Sequence, residues 1–414
     1  MTSMSAPILR TKCMNYDDVA WERSGKRFDV WKRDKLLKRE NLIAVGKLID
    51  KWRGGVPDTL VTPPTCGAFN VCIRMKFVDG GSAILRVPCR GVSMFPEEKV
   101  RQEVSVMRFL EHHTNIPVPH ALHHGMTEES SDGLGPVIIM EYIEHDYDLV
   151  DALNTPGISD HERPILDPQI SEDQLESACG QMADIMLQLS KHTFTEIGCI
   201  ARVDEGDDFD DRWVTKHCPL TLNMNELVQV GNFPPHLLPQ GPFQTSSLYY
   251  LALAEMYIAT QRNDVIESAE DCRRKYIARC LFRKLAREGH LGRYSDHGPL
   301  KLFCDDLHPA NVLMNTEFKV VLCKREDVAI QCGLLTEEHH LSPYMRESWE
   351  SGDSWVNYAA RRSWAFDMIY WAKIDRRFFG DGDLEDRLRL LTPEERGEID
   401  RFVQKKLEEK EERR

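Results

Sequence analysis

Apolar residues between positions 16 and 52 fit a helical spacing, at Val19, Trp21, Phe28, Trp31, Leu36, Leu37, Leu42, Val45 and Leu48. That spacing predicts two helices, and Gly54-Gly55 followed by Pro57 stops the run. The period then shortens. Residues 69–77 alternate in the manner of a strand, Asp79-Gly80-Gly81 supplies a turn, and residues 82–87 return as a second strand. Helical spacing reappears over 97–112 through Val100, Val104, Met107, Phe109 and Leu110, and Pro117 and Pro119 close it. Residues 137–143, behind Gly135-Pro136, form an apolar run interrupted by Glu141 and expected of a buried strand. Hairpin, helix and strand in that order describe a small mixed lobe.

Beyond residue 145 the texture is helical, over 175–192, 246–262 and 267–288, with a strand-like insert at 300–315. Helices resume over 342–379, and 393–414 is expected as a charged terminal helix. The Pro- and Gly-bearing stretch 208–243 is expected to be an extended loop or insertion. The pattern divides the chain into a helical extension (1–60), a β-rich lobe (61–145), a larger helical lobe (146–392) and the terminal helix (393–414). The fold class is α+β.

The chain has 414 residues, of which 42% are apolar and 29% charged, enough for a large core and a polar surface. Fifty-three Lys and Arg against 67 Asp and Glu give a formal charge of −14, and no basic stripe offsets it. Nucleic acid and anionic membranes are therefore poor partners, whereas a nucleotide needs only a few local cations. Twelve cysteines stand singly with no C-x-x-C pair, which argues against a zinc site and a disulfide scaffold. The first 26 residues mix charges and lack an apolar signal core, and the apolar stretch 248–259 is interrupted by Glu255. A cytoplasmic protein is expected; the spacing leaves its oligomeric state open.

Chemistry concentrates at Lys301-Leu302-Phe303-Cys304-Asp305-Asp306-Leu307-His308-Pro309-Ala310-Asn311-Val312. A bare D-x-x-x-x-N spacing says little, but here it lies between two apolar runs and contains Leu-His-Pro. Phosphoryl-transfer loops use such an Asp to accept the acceptor hydroxyl's proton and such an Asn to reach the metal beside the phosphates. Those roles fall to Asp306 and Asn311; alternatively both are turn residues between strands. Ala83-Ile84-Leu85-Arg86 suits a strand that presents a cation to phosphate, and guanidinium can bind phosphate bidentately. Glu103, on the next helix, is placed to pair with Arg86. Gly67 and Asn70 lie where a loop would cover the phosphates, without a full G-x-G-x-x-G. Glu141, in Met140-Glu141-Tyr142-Ile143, sits where backbone groups would meet adenine, or at a plain strand end.

Together these stretches resemble the aminoglycoside-phosphotransferase-like proteins, particularly a fungal group. The segments that carry the resemblance are Gly-Ala-Phe-Asn-Val-Cys (67–72), Arg-Gly-Val-Ser-Met-Phe-Pro-Glu-Glu-Lys-Val-Arg (90–101), Ile-Met-Glu-Tyr-Ile (139–143), the Cys-Asp-Asp-Leu-His-Pro loop, and residues 345–361. The resemblance implies a two-lobed protein-kinase-like fold, ATP with Mg²⁺, and phosphorylation of a small-molecule hydroxyl. In that family the strand after the Asn leads into a segment whose Asp holds Mg²⁺. Here the strand begun at 315–321 passes straight into residues 322–328, which look like a later helix of the relatives. A block with the metal Asp is thus expected to be missing. Asp327 could substitute, although Lys324 and Arg325 beside it would repel a cation. Two alternatives to an active enzyme follow: a catalytically silent kinase-like binding or scaffold protein, and a fragmentary product that folds poorly.

Overall fold

The computed structural model describes residues 18–159, 162–203, 212–261, 265–292, 296–323, 328–332 and 341–412. Helices α1 (Asp18–Trp31) and α2 (Arg39–Arg53) are joined through a π-helical turn at Lys32–Leu36. They lead into β1 (Pro57–Leu60), β2 (Thr65–Cys66), β3 (Asn70–Phe77) and β4 (Ser82–Pro88); α3 (Pro96–His113), β5 (Ala121–Gly125) and β6 (Val137–Glu141) follow. The six strands form one antiparallel sheet in the order β1-β3-β4-β6-β5, with β2 beside β3. The pleat gives this sheet two different faces. Val71, Ile73, Leu85, Val87 and Ile139 share a core with Trp31, Leu36, Val45 and Ile49, so α1 and α2 cover that side. Trp31 Nε1 donates to the Leu134 carbonyl at 3.0 Å across the same packing. On the opposite face Ile84, Ile138 and Met140 meet Val100, Val104 and Met107 of α3.

The second face of α3 belongs to the rest of the molecule. Val106, Phe109 and Leu110 enter the large core of the helical lobe, so α3 is packed on both sides and joins the two lobes.

That lobe opens with β7 (Tyr147–Asp148), α4 (Leu149–Leu153), α5 (Glu172–Ser190), β8 (Thr193–Phe194), β9 (Cys199–Arg202) and β10 (Trp213–His217). Next come α6 (Leu222–Gln229), α7 (Ser246–Thr260), α8 (Ala269–Arg287), and the short strands β11 (Leu300–Cys304), β12 (Val312–Met314), β13 (Val320–Cys323) and β14 (Val328–Cys332). Helices α9 (Leu341–Ser351), α10 (Asp353–Ala360), α11 (Phe366–Ile369), α12 (Asp375–Phe379), α13 (Leu384–Arg389) and α14 (Pro393–Glu412) complete it. Tyr257, Phe282, Phe366 and Tyr370 are its largest fully buried side chains, and the Tyr257 hydroxyl donates to the Ala360 carbonyl at 2.7 Å. Buried charge is paired: Arg387 Nε bonds both Asp375 oxygens at 2.9 Å, and Arg279 lies 3.4 Å from Asp367, whose carboxyl burial pushes upward.

The mixed α+β architecture, with a sheet-bearing part followed by a helical part, agrees with the periodicity of the chain. Two expectations do not hold. The stretch expected as a loop (208–243) contains β10, paired with β9, and the helix α6. Thr221 caps α6 by accepting from the Met224 amide at 3.2 Å, and Met224, Leu227 and Val228 are buried. Nor do the described residues of the stretch expected as a later helix (322–328) enter one: β13 continues to Cys323 as the partner of β12, and β14, which begins at Val328, pairs with β11; residues 324–327 lie outside the described residues. Among the described residues no helix is long and apolar enough to cross a membrane. Among the described cysteines, Cys66 and Cys179 are exposed, whereas Cys89, Cys199, Cys272, Cys280 and Cys304 are buried.

Candidate functional site

Arg86 occupies the α3-facing side of β4, opposite Ile138 in the register, because it alternates with Leu85 and Val87, which face α1 and α2. Glu103 stands on the inner face of α3 and meets it at 2.5 Å. Both are withdrawn from solvent, with side chains 12% and 4% exposed. Lys99, one turn earlier on α3, lies 3.7 Å from the second Glu103 oxygen. A carboxylate so placed fixes two cations on the α3-facing side of the sheet. Nearby on β3, Arg74 stacks over the Tyr142 ring at 3.6 Å and pairs with Glu144, which ties the sheet to the segment leaving it.

Gly67 lies at the tip of the β2–β3 hairpin, where its amide donates to the Asn70 carbonyl at 2.8 Å. Asn70 itself is buried at the root of β3, opposite Pro88. Glu141 ends β6 with an exposed side chain. Its amide donates to the His120 carbonyl at 3.1 Å, and the Tyr142 amide donates to the Ser82 carbonyl at 3.1 Å. Both amides are therefore used within the sheet lobe, which leaves this strand end fewer donors for a ligand.

The loop between β11 and β12 treats its two adjacent carboxylates differently. Asp305 points inward, 2% exposed, and is paired with Arg361 and, at 3.6 Å, with Arg362. Arg361 in turn stacks over Phe303 at 4.3 Å, and its guanidinium reaches Asn357 at 3.4 Å. Asp306 turns the other way and is partly exposed. Asn311 Nδ2 donates to Asp306 Oδ2 at 3.0 Å and to the Asp306 carbonyl at 2.8 Å, and His308 Nε2 lies 3.5 Å from Asp306 Oδ1. The Asn311 amide closes the turn on the His308 carbonyl at 2.9 Å. The loop thus gathers one accessible carboxylate, one amide and one imidazole above a neutralised buried pair.

Partners of this loop include residues that sequence reasoning did not single out. Arg361 and Arg362 follow α10, 56 and 57 positions after Asp305; their only sequence signal is an Arg pair after Ala359-Ala360. Glu226 on α6 is partly buried near Arg362 and Asp305. Burial pushes its carboxyl up to about 7; Arg362 opposes that shift and the Asp305 charge adds to it. Lys99, four residues before Glu103, could have been found from the i,i+4 spacing.

The residues that could hold a magnesium ion are Asn311 and Asp306. Asp327 lies outside the described residues. Among the described residues no group of three or more His, Cys, Asp or Glu is placed to hold a metal. The donor set fits only a Mg²⁺ that takes most of its oxygens from nucleotide phosphates and water, which is how this ion is commonly bound.

No protein-family model and no curated protein matches the chain. Among solved structures, it is similar to a macrolide 2'-phosphotransferase type I at 13% identity, over 85% of this chain and 93% of the other, with a TM-score of 0.37. A macrolide 2'-phosphotransferase from Brachybacterium faecium follows at 14% identity, with coverages of 88% and 98% and a TM-score of 0.34. An ethanolamine kinase from Plasmodium vivax has 11% identity, 80% coverage of each chain and a TM-score of 0.34. Superpositions this loose carry no weight by themselves; the chain's own residues have to support any function.

Proposed function

We propose that this chain is an ATP-dependent phosphotransferase of the aminoglycoside-phosphotransferase type, with a two-lobed kinase-like fold and a small-molecule alcohol as acceptor. The observation that carries the reading is the Asp306–Asn311 hydrogen bond on a loop whose other carboxylate, Asp305, is sequestered by Arg361. In this reading Asp306 orients the acceptor hydroxyl and takes its proton as that oxygen bonds to the terminal phosphorus of ATP and the bond from that phosphorus to the bridging oxygen breaks, releasing ADP. Arg86, held by Glu103, neutralises phosphate charge, and Gly67 with Asn70 shapes the cover over the phosphates. Glu141 borders the adenine. Asn311 would hold Mg²⁺, which when bound would offset charge on the phosphates. The site lies between the lobes of a cytoplasmic protein.

A catalytically silent nucleotide-binding or scaffold protein is the second reading. It is favoured by the sequence itself, in which Val320-Val321 passes straight into Leu322-Cys323-Lys324-Arg325 where the resembled family carries its metal Asp. The transcript across the codons for Val320 to Lys324 bears on this point: a coding block there would restore the family's metal Asp.

Turnover separates the two. The enzyme reading expects Mg²⁺-dependent ATP hydrolysis or transfer by the 414-residue protein, reduced about 10²–10⁴-fold by Asp306→Asn, the range for losing a general base. Hydrolysis that survives Asp306→Asn would overturn the assignment. Nucleotide binding with no turnover would favour the silent protein. If turnover is present, loss on Asp327→Ala would assign the metal carboxylate to that residue.

A further inference from the structure

Two buried asparagines sit in α6, a helix of eight residues. Asn is a weak helix former whose amide competes for backbone groups, so two of them in a short buried helix need a tertiary reason. Both side chains bond outside their own helix. Asn225 Oδ1 accepts from the Met94 amide at 2.8 Å, and its Nδ2 donates to the Val92 carbonyl at 3.0 Å. This grips both polar directions of the loop that opens α3, two residues before Pro96. One turn on, Gln229 Nε2 donates to Ser24 Oγ at 2.8 Å, and Ser24 bonds the Gly91 carbonyl of the same loop. From α3 itself, Gln102 reaches the Cys218 carbonyl, just ahead of α6, at 3.4 Å.

The other side of α6 faces the catalytic loop. Asn223 Oδ1 accepts from the Ser363 amide at 3.0 Å, immediately after the Arg361 and Arg362 that hold Asp305. Glu226, on the same helix, lies in the field of Arg362 and Asp305. One short helix is therefore bonded to the support of Asp306 and to the support of Glu103.

We propose that α6 is a strut that sets the spacing between the two halves of the site. Asn225 is the positioning residue for the Arg86–Glu103 pair, and Asn223 is the positioning residue for the Asp306 loop. The functional part rests on the phosphotransferase reading; the mechanical part does not. Asn225 touches neither nucleotide nor acceptor in this scheme and acts only by fixing where α3 begins.

The test uses the full chain with Asn225→Leu, Asn225→Asp, and Ile399→Ala in the remote helix α14 as a comparator for general destabilisation. Hydrogen–deuterium exchange of Asn225→Leu is expected to rise selectively over residues 91–103. Asn225→Asp, which keeps an acceptor for the Met94 amide, should recover much of the protection. Ile399→Ala should leave that segment no faster than the rest of the molecule. With ATP as the probe, Asn225→Leu should raise KM for nucleotide about tenfold, the scale of one lost buried hydrogen-bonded group, with a smaller change in kcat. Exchange that is unchanged over 91–103, or that rises evenly across the chain as in Ile399→Ala, would overturn the strut. If the unaltered protein turns over no ATP, the phosphotransferase reading fails alone, and the exchange result still decides the mechanical proposal.

Discussion

The two halves of the candidate site each contain a buried ion pair, used in opposite senses. On the sheet, the group proposed to meet phosphate, Arg86, is itself a member of the pair, and Glu103 holds it from α3. In the helical lobe, the group proposed as the base stands beside the pair: Asp305 and Arg361 neutralise each other, and the adjacent Asp306 is partly exposed. The first arrangement needs a carboxylate that does not cancel the cation, and Lys99 beside Glu103 helps by sharing that carboxylate. The second needs its carboxylate fully covered, which Arg361 and Arg362 do for Asp305. Ion pairs of similar burial can thus arm a functional group or anchor one. Neighbours, more than the pair itself, decide which.

Substitutions that treat the two pairs alike should separate them. Arg361→Ala strands the Asp305 charge in the interior, and a loss of about 3–5 kcal/mol in urea unfolding is expected from breaking a buried pair. A loss below 1 kcal/mol would mean that Arg362 alone suffices and that the anchoring role is overstated. Glu103→Gln should cost less in stability, about 1–3 kcal/mol, because an amide still offers an oxygen to Arg86. Its larger signature should be nucleotide affinity, weakened about tenfold in a titration with a fluorescent ATP analogue. Equal affinity in variant and parent would remove Arg86 from the phosphate site. Arg86→Lys keeps the charge but loses the planar fork, so a smaller weakening of about threefold to tenfold is expected.

The smallest effect concerns pH. The Glu226 carboxyl, at about 7 in the native state against 4.5 ordinarily, holds a proton that the unfolded chain releases earlier. Its contribution to stability is fully present below about 4.5 and is lost as pH rises through 7. Glu226→Gln should flatten that decline and make the protein roughly 1–3 kcal/mol more stable at pH 8 relative to pH 5, at about 1.4 kcal/mol per pKa unit. Parallel urea midpoints for variant and parent from pH 5 to 8 would show that Glu226 is not held in this state.

Legibility in the sequence followed burial. β3, β4, α3 and β6 were readable because each is packed against a core and carries its period plainly: Val71, Ile73, Met75 and Phe77 on one face of β3, and Val100, Val104 and Met107 on one side of α3. β1 was not readable, since it is an edge strand with an exposed pattern that begins at Pro57, a residue edge strands tolerate. α6 was hidden between Pro219 and Pro234-Pro235; only Thr221, Met224, Leu227 and Val228 signal it, over little more than two turns. The Asp306–Asn311 spacing was visible because both residues lie on one turn. The Asp305–Arg361 pair was not, because its members stand 56 residues apart and meet only in the folded chain.

The exposed thiols offer a way to watch the lobes move. Cys66 lies on the small hairpin strand beside Gly67, and Cys179 lies on α5 in the other lobe, while Cys89, Cys199, Cys272, Cys280 and Cys304 are buried. Buried thiols react slowly with bulky maleimides, so the molecule carries a native attachment point on each lobe. With Cys13, the half-buried Cys72 and Cys218, Cys323 and Cys332 replaced by serine, a donor and an acceptor dye on Cys66 and Cys179 become a ruler across the molecule. Closure over a nucleotide would then register as a change in energy transfer, whether or not any phosphate is moved.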